Sequence, residues 1–124
     1  MTEGVGIDIA DVERIAQRIE KENGFKEMIF SVEEISYCES KTNKFEHYAA
    51  RFAAKEAFFK ALGTGWITGT SFNEINILNN SQGKPELILS DETKKTLHAL
   101  ENANIKVSLS HIKTMAVSIV IIER

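Results

Sequence analysis

RFAAKEAFFKALGTG, residues Arg51–Gly65, has the spacing of a helix that breaks the usual pattern of a soluble one. At 100° per residue, Ala50, Ala54, Ala57 and Ala61 fall on one smooth face, with Phe52 and Phe59 opposite. No broad solvent face remains, so the helix is expected to be buried or wrapped by other elements. An all-alanine stripe also admits close approach of a neighbouring backbone. Yet Glu56 and Lys60 stand one turn apart on the phenylalanine side, with Arg51 and Lys55 on its other flank. Charged groups on so apolar a helix need partners, because desolvating an unpaired one is costly. Those partners are each other, a metal or a bound anion, and the plainest arrangement is an i,i+4 Glu56–Lys60 pair on a solvated face. Gly63-Thr64-Gly65 then ends the helix and exposes backbone amides that can approach a phosphate.

Bulk properties narrow the class. A chain of 124 residues, 43% hydrophobic with one proline, reads as a single folded domain over residues 1–124 rather than a disordered one. No apolar run reaches the roughly 18–20 residues of a membrane span. The start MTEGVGIDIAD lacks the basic and apolar regions of a signal peptide, and Cys38 is the only cysteine, so a reducing cytoplasm is expected. A net charge of −3 gives no reason to expect nucleic acid.

Val5, Ile7 and Ile9 alternate with Gly6 and Asp8, which reads as a strand with one buried face, Asp8 pointing away from the Val/Ile side. Asp11 can cap a helix to about Asn23 whose inward stripe is Val12, Ile15, Ala16 and Ile19. On its outer side Arg14, Arg18 and Lys21 recur at helical spacing, either as a solvated face or as a docking stripe for an acidic helix. Ser31-Val32-Glu33-Glu34 fits a capping box for a short helix to about Lys41, and the long helix is expected to begin near Phe45. Gly63–Thr70 forms a glycine-rich loop with the only tryptophan. A strand over Phe72–Leu78, turn signals in Asn79–Pro85 and a partner strand over Glu86–Ser90 make a hairpin. Ser90 or Asp91 caps a helix to about Asn102, and Ile105–Ser110 and Met115–Ile122 close the chain as a second hairpin. Val117–Ile122 is apolar on both faces, as in a central strand or one covered by another subunit.

Asp8 and Glu56 are the pair with the most chemistry. Two carboxylates brought together repel unless a cation or proton sits between them, and hard oxygens with room for water suit Mg²⁺. The alternative keeps Asp8 as a turn residue and Glu56 on Lys60. Ser110 and His111 are adjacent on a strand and so poorly placed for a nucleophilic triad; His111 in a turn meets a phosphate or solvent. Lys84, in the Gly83-Lys84-Pro85 turn, has the same two options. His47 and His98 show no partners and read as surface residues.

In this order these residues resemble the holo-[acyl-carrier-protein] synthase family of small bacterial 4′-phosphopantetheinyl transferases. Gly4–Glu13 (GVGIDIADVE) is similar to the first signature of that family and Arg51–Gly65 to the second, with Gln82–Pro85 and Ser108–His111 similar to its turns. The turn carries Gln82 where the family has asparagine, and Ile112 follows His111 in place of a small hydroxyl residue. The resemblance implies an α+β domain, a mostly antiparallel sheet wrapped around a long central helix, assembled as a homotrimer with active sites between subunits. It implies transfer of 4′-phosphopantetheine from coenzyme A to a serine of apo acyl carrier protein, releasing adenosine 3′,5′-bisphosphate, in fatty acid biosynthesis. By position Asp8 and Glu56 match the Mg²⁺ ligands and Lys60 the active-site lysine. Gly63, Thr64, Gly65, Gly83, Lys84, Pro85, Ser110 and His111 match coenzyme A contacts, and Arg14, with Arg18 and Lys21 beside it, the carrier-docking face. A catalytically silent module that holds coenzyme A or an acidic partner is the rival, as is a broad-scope transferase, a class of about twice this length.

Overall fold

The computed structural model describes residues 1–65 and 70–124. The expectations for positions 66–69 of the glycine-rich loop, Trp66 included, lie outside the described residues. The chain runs β1 (Thr2–Asp11), α1 (Val12–Glu20), α2 (Phe25–Ile29), α3 (Val32–Glu39), α4 (Lys44–Leu62), β2 (Ile75–Asn79), β3 (Pro85–Leu89), α5 (Asp91–Thr96), β4 (Asn104–His111) and β5 (Met115–Glu123). One antiparallel sheet has the order β1-β5-β4, and β2 and β3 form a separate antiparallel hairpin. The doubly apolar β5 is therefore the central strand, as its composition requires.

The 19 residues of α4 organise the rest. Its first half packs Tyr48, Ala49, Ala50 and Ala53 with α1, α2 and α3 through Ile15, Ile19, Phe30 and Cys38. Its second half packs Ala57, Phe58, Phe59 and Ala61 with Ile75, Leu89, Val120 and Ile122. The face of β1 that meets α4 is not the Val/Ile face. Val5, Ile7 and Ile9 are 57%, 59% and 59% exposed, while Gly6 and Ala10 are buried. The reason is backbone proximity: a Cβ on Gly6 would stand 1.9 Å from the Ala57 carbonyl oxygen, and one on Gly4 would stand 2.1 Å from that of Ala61. Small residues on the strand fit the alanine stripe on the helix, and this contact outweighs simple hydrophobicity in choosing the buried face. Asp8 points away from the Val/Ile side, as expected, and that direction turns it toward α4.

Asp11 caps α1, accepting from the Arg14 amide at 3.0 Å, and the Ser31/Glu34 capping box forms at the head of α3. Two helices are shorter than their sequence indicates. α1 stops at Glu20, followed by left-handed Glu22 and Gly24 that turn the chain into α2, an element the periodicity does not reveal. α5 stops at Thr96; Leu97, only 5% exposed, leaves helical geometry to enter the core, and a 3-10 turn leads to β4.

Candidate active site

Asp8 comes from the inward face of β1 and Lys60 from the exposed flank of α4. The Lys60 ammonium donates to Asp8 Oδ1 at 2.8 Å and to the Ile7 carbonyl at 3.1 Å. Lysine side chains on a helix lean toward its N-terminus, which carries Nζ back over the turn where β1 crosses. The Lys60 partner is thus Asp8, not Glu56 one turn earlier: β1 runs so close to α4 that an acid on the strand captures the cation. Glu56 belongs to the same cluster. Partial burial, and then the negative charge of Asp8, push its carboxyl above the usual range, with Lys60 pulling the other way. Two carboxylates held in mutual repulsion with one lysine between strand and helix are a poor structural solution and a good cation or phosphate site.

Gly63 closes α4 in the left-handed region, its amide bonded to the Lys60 carbonyl at 3.0 Å, and Gly65 is also left-handed. Gly63, Thr64 and Gly65 are exposed one turn beyond Lys60.

The remaining candidates lie elsewhere. Gly83, Lys84 and Pro85 sit at the tip of the β2–β3 hairpin, where Asn80 Oδ1 accepts from the Gln82 and Lys84 amides at 2.9 and 3.0 Å. Lys84 and Pro85 open onto a groove of about 1130 Å³ that also receives Lys94, Lys95, His98 and Ser108. Of these, sequence reasoning passed over the two adjacent lysines and treated His98 as isolated. Ser110 and His111 end β4 on opposite faces, as alternation demands, but His111 is still in the strand, paired with Ala116, and not in the turn. Its Nδ1 lies 2.9 Å from Glu46 Oε1 in the first turn of α4. Glu46 and Glu56 are separated by ten residues, roughly 15 Å of helix. Within one chain, His111 therefore stands at the opposite end of α4 from the loop beyond Lys60. His47 is not isolated: its ring meets those of Tyr37 and His111 edge-on, centroids 5.6 and 5.0 Å apart. Arg14 on α1 and Lys21, which caps its C-terminus, are exposed, and Arg18 lies over the Phe25 ring at 5.8 Å.

Glu34 was read in the sequence only as a member of the Ser31 capping box; its full burial together with Lys55 was missed. The Lys55 ammonium donates to Glu34 Oε1 at 2.6 Å and to the Phe72 and Ile75 carbonyls at 2.8 Å each, while Glu34 Oε2 accepts from the Ile77 amide at 2.9 Å. The demand for a Lys55 partner was visible in sequence; its supply 21 residues away was not.

Residues 4–117 match the family model of the 4′-phosphopantetheinyl transferase superfamily. A holo-[acyl-carrier-protein] synthase from Cytophaga hutchinsonii is 45% identical over 100% of this chain and 99% of its own length. The crystal structure of the holo-[acyl-carrier-protein] synthase from Neisseria meningitidis superposes with a TM-score of 0.89 at 32% identity, covering 100% of both chains. That of a Bacillus anthracis holo-(acyl-carrier-protein) synthase, in complex with CoA (3′,5′-ADP), gives 0.81 at 36% identity over 99% of this chain and 97% of that one. Sharing fold and sequence with these synthases from end to end, the chain belongs to the 4′-phosphopantetheinyl transferase superfamily.

Proposed function

We propose that this protein moves 4′-phosphopantetheine from coenzyme A to a serine of apo acyl carrier protein and releases adenosine 3′,5′-bisphosphate, as a single domain serving fatty acid biosynthesis in the cytoplasm. The observation that carries this reading is the convergence of Asp8, Glu56 and Lys60 where β1 crosses α4. Attack on the β-phosphorus of a pyrophosphate calls for charge neutralisation and alignment more than for covalent help. The acid pair fits Mg²⁺: its donors are hard oxygens, and burial, then the charge of Asp8, hold the Glu56 carboxyl above its usual range, a cost that a bound cation would relieve. Two carboxylates suffice for an ion that keeps several waters and takes substrate phosphate oxygens; among the described residues no larger cluster of acids, histidines and cysteines stands ready for a metal. When bound, Mg²⁺ supplies charge neutralisation at the pyrophosphate.

The protein's own groups do the rest. Lys60, its side chain 55% exposed, can swing from Asp8 to a phosphate oxygen and stabilise the departing bisphosphate. Gly63, Thr64 and Gly65 offer backbone amides to the phosphates. Gly83, Lys84, Pro85, Ser110 and His111 hold the nucleotide end of coenzyme A. Because His111 and the acid pair are spread along α4, a site that uses both draws them from neighbouring copies. The uncovered row Val5, Ile7 and Ile9 supports such packing, and the assembly is a homotrimer. The Arg14, Arg18 and Lys21 stripe receives the acidic helix of the carrier.

Incubating the protein with a panel of apo carrier proteins, coenzyme A and Mg²⁺ tests this reading by mass spectrometry. A phosphopantetheine mass gain, abolished by chelator and restored by Mg²⁺, is expected. Coenzyme A binding without any gain would leave a silent binding module in its place.

A further inference from the structure

Glu46 is partly buried, with 17% side-chain exposure, and has no place in the reaction described so far. It sits in the first turn of α4 and reaches across to the end of β4, where its Oε1 stands 2.9 Å from His111 Nδ1. The His111 bond, before any other influence, holds the Glu46 carboxyl below its usual range. An ionised carboxylate only accepts, so the hydrogen of this bond belongs to Nδ1 and the ring is fixed with Nε2 as its remaining functional atom. Among the described residues no hydrogen bond engages Nε2. On the other side, the His47 ring closes edge-on at 5.0 Å and prevents the imidazole from turning over. Burial, and then the proximity of His111, pull the His47 imidazole below its usual range.

From this bond and this ring contact we infer that Glu46 is a positioning residue for coenzyme A binding: it holds the His111 ring through Nδ1–H so that Nε2 faces outward and, in the imidazolium form, donates its N–H to a phosphate oxygen of the nucleotide. The inference rests on the coenzyme A role proposed for His111. A carboxylate behind a histidine is a strong orienting device; removing such an outer partner typically costs about 10-fold or more in the function of the group it supports.

A double-mutant cycle with steady-state kinetics and 3′,5′-ADP binding separates the possibilities. Glu46→Ala and His111→Ala are each expected to raise KM for coenzyme A about 10-fold, with kcat falling far less and KM for the carrier protein unchanged. In the His111→Ala background, Glu46→Ala adds nothing, because it acts only through the ring. Glu46→Gln, which still accepts from Nδ1, recovers part of the affinity. Histidine ¹⁵N shifts in alkaline buffer report Nδ1–H for His111 in the parent protein and its loss in Glu46→Ala, without reference to turnover. Additive effects, or equal losses in both KM values, would reduce Glu46 to a structural residue. An unchanged coenzyme A KM in His111→Ala would instead refute the nucleotide role of His111, and the Glu46 proposal with it.

Discussion

Arg51 and Lys55, four residues apart on α4, are cations with 2% and 0% exposure, and each sends a hydrogen bond to a β2 carbonyl of the β2–β3 hairpin. Arg51 donates to the Ile77 carbonyl at 3.2 Å and to Asn79 at 3.4 Å and lies over the Tyr37 ring; Lys55 holds Glu34, Phe72 and Ile75. A lone two-stranded hairpin is marginal in water, so these donors help fix an element that is not hydrogen-bonded into the main sheet. Burial pulls the Lys55 ammonium below its usual range and the Glu34 carboxylate draws it back. Removing one member leaves the other charged and dry. Lys55→Met is expected to lower stability by about 3–5 kcal/mol in urea titrations, and Lys55→Met with Glu34→Gln to recover part of it. If the single and double variants were equally unstable, the loss would lie in the carbonyl contacts and not in the orphaned carboxylate. At this scale the need for partners was legible, because a charge on an apolar helix must be met. Which residue meets it depends on the tertiary fold: Glu34 for Lys55, Asp8 for Lys60 and Glu46 for His111 follow from no spacing rule.

Helix caps and hairpins were readable where local chemistry decides them. Asp11 and Ser31 cap as their positions require, and Asn79–Pro85 turns as its composition demands. The face of β1 was not readable by the same route. Alternating Val and Ile ordinarily mark the buried side, but here the Gly4, Gly6 and Ala10 side meets α4, at a separation that excludes a Cβ at Gly4 and Gly6. The Gly6 backbone φ is not in the left-handed region, so its requirement is space alone. Gly6→Ala is therefore expected to push β1 from α4, lowering stability by about 1–3 kcal/mol and displacing Asp8 from Lys60 and Glu56. Thermal melting with coenzyme A turnover measures both; a variant with parental stability and rate would mean that the strand and helix have slack that the contact distances deny.

Across the whole molecule, the sheet has one face on α4 and another that carries Val5, Ile7 and Ile9 beside the half-buried Val117, Ile119 and Ile121 of β5. Register puts Ile7 opposite Ile119 and Ile9 opposite Val117, so these side chains form one continuous apolar surface. Both its place on β1 and its exposure become visible only when the packing of the other face is known. The pairing of the two signature stretches, by contrast, has a local cause, because Gly6 lies against Ala57 in the same β1–α4 contact that brings Lys60 onto Asp8. Glu56 is held there against burial and the charge of Asp8, an arrangement that favours function over stability. A carboxyl whose folded pKa is raised binds protons more tightly in the folded state, so the penalty is absent below the ordinary carboxyl range and grows as pH rises through the folded value. Glu56→Gln removes that penalty: in metal-free buffer at pH 7 its melting temperature should equal or exceed that of the parent, and the advantage should vanish at acid pH. The decisive quantity is the rate at which folded Glu56→Gln modifies apo carrier protein with coenzyme A and Mg²⁺ in excess. Loss of transfer by about 10³-fold or more is expected of a group that both orients and neutralises the reacting phosphates, whereas turnover near that of the parent would remove the Asp8–Glu56 pair from the chemistry.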